Sequence, residues 1–107
     1  MDLNQYQIVL VNLDPTVGSE IKKTRPCVII SPNEINHNLR TIVVCPLTST
    51  SKKYPTRLEI NHDQKKGWIV VDQIRTIDKS RVVKTFNSLS QPIIKELKSV
   101  LKETFVD

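Results

Sequence analysis

The chain has 107 residues, 38% apolar and 25% charged, with a net charge of +5. That is the composition and length of one ordinary globular domain, in which folding hides roughly 65% of the surface the unfolded chain exposes. No apolar run approaches the ~18–20 residues of a membrane span and no leader pattern opens the chain, which excludes a membrane protein and implies the cytosol.

The elements follow in chain order. Residues 6–13 are rich in β-branched and aromatic side chains and predict a strand. Asp14, Pro15 and Gly18 mark the turn after it. Residues 27–30, wholly apolar, predict a second strand, and Pro32 opens a short helical or looped excursion to Arg40. Residues 41–45 predict a third strand, ended by Pro46. A polar loop, LTSTSKKYP, leads to residues 56–60, which alternate (Thr56, Leu58, Ile60 against Arg57, Glu59) as a half-exposed strand does. The stretch HDQKKG, 62–67, predicts a tight turn onto a strand at 68–71, with 72–77 continuing extended and 78–81 one helical turn. Residues 82–86 give a last strand.

The period then changes. Ile93, Ile94, Leu97, Val100, Leu101 and Phe105 recur at helical spacing, with Lys95, Glu96, Lys98 and Lys102 opposite. Ser90 is the expected N-cap and Pro92 is tolerated in the first turn. Five or six short strands and one terminal amphipathic helix predict an α+β fold, mainly antiparallel β: a small SH3-like barrel folding as a single unit over residues 1–107.

Cys27 and Cys45 each sit in a β-branched apolar run and read as buried, reduced hydrophobes. There is no Cys/His cluster with metal-ligand spacing, and His37 and His62 stand alone in polar segments, so neither a metal nor a cofactor is implied. The net charge favours a polyanionic partner, nucleic acid or acidic protein, without choosing between them.

Three loops concentrate polar chemistry. The first, VGSEIKKTRP, holds Glu20, Lys22, Lys23, Thr24 and Arg25 at the mouth of an apolar strand. The second runs Thr48, Ser49, Thr50, Ser51, Lys52, Lys53, and the third is Asp72, Gln73, Ile74, Arg75. If neighbouring strands pair, the loops at one end of a barrel converge, and forked guanidinium donors, ammonium charges and short hydroxyls together suit a phosphate. Read from spacing alone, the same residues also fit solvated turns. Trp68 and Tyr6 read as core, so a base-stacking platform is poorly supported.

The run NLDPTVGSEIKKTRPCVIISP, followed in order by CPLTS, YPTRLEI and VVDQIRTIDKSR, resembles the MazF/PemK (Kid) family of mRNA interferase toxins from bacterial type II toxin–antitoxin pairs. The likeness covers essentially the whole chain. It implies a CcdB/PemK/MazF-type barrel, a homodimer, and metal-independent cleavage of single-stranded mRNA at a short sequence, giving 2′,3′-cyclic phosphate and 5′-hydroxyl ends. The principal catalytic residues of that family map to Arg25 and Thr48, its loop glutamate to Glu20 and the acid before its QIRTID-like segment to Asp72. Arg25 then supplies transition-state electrostatics, since its pKa above about 12 makes deprotonation costly. Thr48 bonds a non-bridging oxygen, and Glu20 is the candidate base. Thr24, Ser49, Asp72, Gln73 and Arg75 are candidates for RNA binding and base selection, with Lys22, Lys23, Lys52 and Lys53 holding the backbone.

Three departures stand out. Gln5 and Tyr6 occupy positions where the family commonly has Gly-Asp, which bears on a turn. Val70 and Ser19 stand where some members carry an arginine and a histidine, so a mechanism leaning on either does not transfer. The resemblance also implies silencing by a co-expressed antitoxin with an acidic tail. Two rival readings are a CcdB-like toxin that binds gyrase without catalysis, with contacts near the terminal helix, and an inactive RNA-binding relative.

Overall fold

A computed structural model of the chain describes residues 2–12, 24–51, 53–62 and 65–106. Seven strands are present among them: β1 (Gln7–Asn12), β2 (Thr24–Ile29), β3 (Thr41–Thr48), β4 (Arg57–His62), β5 (Lys65–Val70), β6 (Arg75–Asp78) and β7 (Val82–Ser88). A short helix α1 (Asn33–Asn38) precedes β3, and the long helix α2 (Gln91–Phe105) closes the chain. All pairings are antiparallel, in the order β4-β5-β3-β2-β1-β7, with β6 also on β3. The fold is therefore the expected antiparallel sheet with a C-terminal helix. The sheet is open: β4 and β7 end it, and they face each other across a groove of about 480 Å³ lined by Ile60 and Asn61 on one side and Thr85 to Ser88 on the other.

Strand alternation gives each face its own core. Val9, Val11, Cys27, Ile29, Ile42, Val44, Ile77 and Val82 fill one side with Leu3. Ile8, Val28, Cys45, Leu47, Ile60, Ile69 and Val71 fill the other, where Leu97 of α2 seats among them fully buried. The predicted helix stripe is correct through Leu101, but Phe105 is exposed and takes no part in the second core. Ser90 holds the N-cap position in extended conformation without a side-chain bond; its carbonyl accepts from Ile94 N.

Three expectations need correction. Pro46 does not end the third strand, which runs on to Thr48. The Ile30 N–H donates to the Val43 carbonyl at 2.9 Å and the Val43 N–H to Ser31 Oγ at 3.0 Å, so odd-numbered residues of β3 turn their amides toward β2. Even-numbered Pro46 turns its nitrogen to the opposite edge. There β6 has stopped at Val44 and β5 begins only at Leu47, so no ladder bond is lost. Second, residues 72–77 are not continuously extended: a 3-10 turn over Val71–Gln73 carries the chain from β5 to β6. At this turn Val71 is fully buried and Asp72 and Gln73 are exposed. Third, β4 and β5 reach to His62 and from Lys65, so the turn between them is shorter than six residues, and its tip at 63–64 lies outside the described residues. The Asp14–Gly18 turn likewise lies outside them.

Tyr6 accounts for one departure from the family pattern. Its φ of 69° is left-handed, a conformation that costs a non-glycine residue roughly 1–2 kcal/mol. The bonds around it offset that cost. Tyr6 N donates to Ile29 O at 2.6 Å, Leu89 N to Tyr6 O at 2.9 Å, and Gln5 N to Asn33 Oδ1 at 2.8 Å. The ring packs on the second core with Lys98 Nζ 6.0 Å from its centroid. Helix α1 is fastened by buried Asn36, whose Nδ2 donates to Ser31 O at 2.8 Å. His37 lies on this helix, exposed, 3.0 Å from Asn4 Oδ1. Among the described residues, no helix is long and apolar enough to cross a membrane.

Both cysteines are fully buried free thiols. Burial pushes each from an ordinary 9.0 up to about 12. A raised thiol pKa contributes stability that is complete below the unfolded value and is lost as pH climbs toward the folded one. Between about pH 9 and 12 stability should therefore fall, by up to roughly 1.4 kcal/mol per pH unit for each thiol. Urea melts across that range will show a shallower alkaline decline in Cys27→Ala than in the parent chain.

Candidate active site

The β2–β3 pairing stops short of the strand ends that carry Arg25 and Thr48. The two strands pair at Ile29↔Val44, Val28↔Cys45 and Cys27↔Pro46, and the pairing stops there. By the phase set at Ile30 and Val43, the next rung would need the amide of residue 26 to donate to Leu47. Residue 26 is proline and has no N–H. The ladder with β3 ends, while β2 stays paired to β1 through Pro26, Arg25 and Thr24. Arg25 and Thr48 thus stand on the two lips of a split. Register continued by two residues would set them opposite each other, and both side chains leave the same face, that of Cys27, Ile29 and Val44.

Arg75 joins them. It pairs with Val44, so its side chain shares that face. Burial is the main influence on the Cys27 thiol, opposed by the nearby positive charges of Arg75 and Arg25. Two exposed guanidinium groups therefore flank one buried thiol beneath the split. The Thr48 hydroxyl donates to Thr50 O at 3.1 Å and accepts from Thr50 N at 3.3 Å, which folds the following loop back on the strand end. Trp68, opposite Thr48 on β5, is buried as expected of a core residue.

The third loop approaches along the other edge of β3. Its 3-10 turn spans the gap between β6 and β5, and it presents Asp72 and Gln73 to solvent. Asp72 Oδ1 accepts from Thr56 Oγ1 at 3.0 Å and from Arg57 Nε at 3.4 Å. Partial burial pushes this carboxyl up, but the Thr56 and Arg57 hydrogen bonds, its own backbone and the Arg57 charge outweigh that and hold it below the ordinary 3.8. Thr24, Ser49 and Lys53 are exposed along the same loops. Of the other expected site residues, Glu20, Lys22, Lys23 and Lys52 lie outside the described residues. Arg25, Thr48 and Arg75 come together on one face, and Asp72 with Gln73 borders them across β3.

Residues 4–105 match the family model of the PemK-like, MazF-like toxin of type II toxin-antitoxin systems. The chain belongs to this family. Endoribonuclease MazF of Staphylococcus saprophyticus is 33% identical over 105 residues, covering 92% of this chain and 88% of that one. Among solved structures, the MazE–MazF complex of Deinococcus radiodurans (form II) superposes with a TM-score of 0.83 at 24% identity, over 97% and 96% of the two chains. An endoribonuclease in complex with its cognate antitoxin from a mycobacterial species gives 0.81 at 19% identity, over 94% and 92%. At those identities the structures establish the fold.

One member of this MazF-like site escaped the sequence. Arg57 sits at an outward position of an alternating strand, which predicts a solvated cation. Its side chain is instead only 21% exposed, with Nη1 donating to Ser51 Oγ at 2.8 Å and Cζ 5.0 Å from the Tyr54 ring centroid. The only available signal was its place in YPTR, after an aromatic residue and a proline.

The split depends on one missing donor. Pro26→Val should restore the rung to Leu47, and hydrogen exchange will then find a protected amide at residue 26 where the native chain has none.

Proposed function

We propose that this MazF-like domain, residues 1–107, is a cytoplasmic, metal-independent endoribonuclease acting on single-stranded mRNA as the toxin of a type II pair. What carries the reading is the split strand pair, with a guanidinium on one lip, a hydroxyl on the other and a second guanidinium beside them. Family membership supports it, as does the endoribonuclease name of the staphylococcal relative.

The chemistry such a site can perform is phosphoryl transfer within the substrate. The ribose 2′-oxygen attacks the adjacent phosphorus, forming the O2′–P bond as the P–O5′ bond breaks. The products are a 2′,3′-cyclic phosphate and a 5′-hydroxyl. The 2′-proton passes to a carboxylate, for which Glu20 is the candidate, and the departing 5′-oxygen takes up a proton from solvent. Negative charge grows on the phosphorane oxygens, and Arg25 is suited to meet it because its charge is permanent and its donors lie in a fork. Thr48 can reach a non-bridging oxygen by turning its proton away from the Thr50 carbonyl. Arg75 and the lysines of the first two loops, Lys22, Lys23, Lys52 and Lys53, steady the flanking backbone, with Thr24, Ser49, Asp72 and Gln73 available to base edges.

The net charge of +5 suits both RNA and an acidic antitoxin. Solved relatives carry a bound antitoxin, which supports the same kind of partner here; that the toxin is a homodimer is part of the proposal and rests on the family resemblance.

Purified protein incubated with a long RNA in EDTA should yield fragments with 5′-hydroxyl ends. Arg25→Ala should lower the rate by about 10³-fold and Thr48→Val by about 10²-fold, the usual scale for losing one transition-state donor. Because Arg25 is exposed, its replacement should leave the melting temperature within a few degrees. Intact RNA alongside inhibited supercoiling by gyrase would favour the CcdB-like rival instead. RNA bound but never cut would point to an inactive relative.

The pH–rate profile of Glu20→Gln addresses the base. Loss of the acidic limb is expected, and an unchanged limb removes Glu20 from that role.

A further inference from the structure

The guanidinium of Arg57 touches three residues on two segments at once. Nε meets Asp72 Oδ1 at 3.4 Å, Nη1 donates to Ser51 Oγ at 2.8 Å, and Cζ lies 5.0 Å from the centroid of the Tyr54 ring. The backbone reinforces the arrangement, since Arg57 N donates to Tyr54 O at 3.1 Å. Ser51 lies three residues beyond Thr48 and Asp72 lies on the 3-10 turn beside β3, so this one side chain joins the loop after the split to the turn across from it. An arginine committed in this way costs side-chain entropy and partial desolvation, which a merely solvated strand residue avoids. Its planar fork can bind two acceptors at fixed spacing, which a lysine cannot do.

We infer that Arg57 is a positioning residue that fixes the Asp72 carboxylate and the Ser51 loop relative to each other, and so sets base preference at one position beside the cut. The inference deepens the endoribonuclease reading and rests on it. Thr56 and Arg57 both bind Oδ1 of Asp72, so Oδ2 is the oxygen that these two donors leave to an incoming ligand. An ionised carboxylate only accepts hydrogen bonds. The matching ligand edge carries an N–H donor, and the exocyclic amine of cytosine is the usual partner of an acidic side chain. If Arg57 released it, the carboxylate could swing, and an edge without a well-placed donor would be refused less strongly.

The test compares cut-site profiles of the full chain and its variants, by sequencing the 5′ ends produced from one long RNA. Arg57→Met keeps an apolar stem for Tyr54 and removes every donor. Its expected profile keeps the overall motif but loses about tenfold of the discrimination at a single position, with a loss at the best site that falls on KM more than on kcat. Arg57→Lys should recover RNA affinity but not that discrimination. Combining Arg57→Met with Asp72→Asn should relax the same position no further than Asp72→Asn alone. Should Arg57→Met fail to fold, Ser51→Ala, which removes one acceptor of Arg57, and Asp72→Asn, which replaces the free carboxylate oxygen with a donor, are expected to relax that same position.

A folded Arg57→Met with an unchanged motif overturns the inference, as does even loosening at every position. If the other two variants loosen different positions, or none, it is likewise overturned. These results differ from failure of the parent reading, in which the unsubstituted chain cuts nothing and both proposals fall.

Discussion

A single absent hydrogen-bond donor shapes the functional end of this sheet. From Cys27 to Ile29 the second and third strands are paired, and at Pro26 the next rung lacks one of its two N–H donors. The same residue stays in register with Leu10 on the other side, so β2 is not frayed, only parted from one neighbour. Arg25 and Thr48 gain from this the property a site needs. They sit on well-ordered strand ends backed by a packed core, yet the space between them is not filled by backbone pairing.

Electrostatics in the split is arranged around apolar burial. Cys27 lies fully buried between two arginines, and its thiol stays neutral although both cations would favour the thiolate. A thiolate there would offset part of the positive field that a phosphate is drawn to. On the other edge stands an acid. Thr56 and Arg57 hold the Asp72 carboxyl below its ordinary value, although partial burial works the other way. Asp72 thus lies across β3 from Arg25, on the same edge of that strand as Arg75.

Much of this could be read from residue order. The β-branched runs gave the strands, and the change to helical spacing after Ser90 gave α2 because its apolar positions face one sheet surface. Arg25, Thr48 and Arg75 were legible as a group only through the family resemblance; spacing alone left solvated turns equally open. Pro46 was misread because a proline ends a strand only where the one edge its amide would face needs that donor, and the break between β5 and β6 on that edge is a tertiary fact. Arg57 was missed for a related reason. Alternation says which face of a strand a side chain leaves, but not that a loop and a turn from elsewhere in the chain will cover it.

The open sheet leaves β7 as a terminal strand, with Val83 60% exposed. Next to it, Lys84 extends over the Phe86 ring, its Nζ 5.3 Å from the centroid. A cation in mid-strand is how natural sheets discourage a foreign strand from adding to a bare edge. The sheet's unzipped margin therefore carries its own guard against filament growth. Replacing that lysine with a β-branched apolar residue would lengthen the adhesive stripe, and self-templated stacking is the hazard it would raise in a cell that makes this chain in excess.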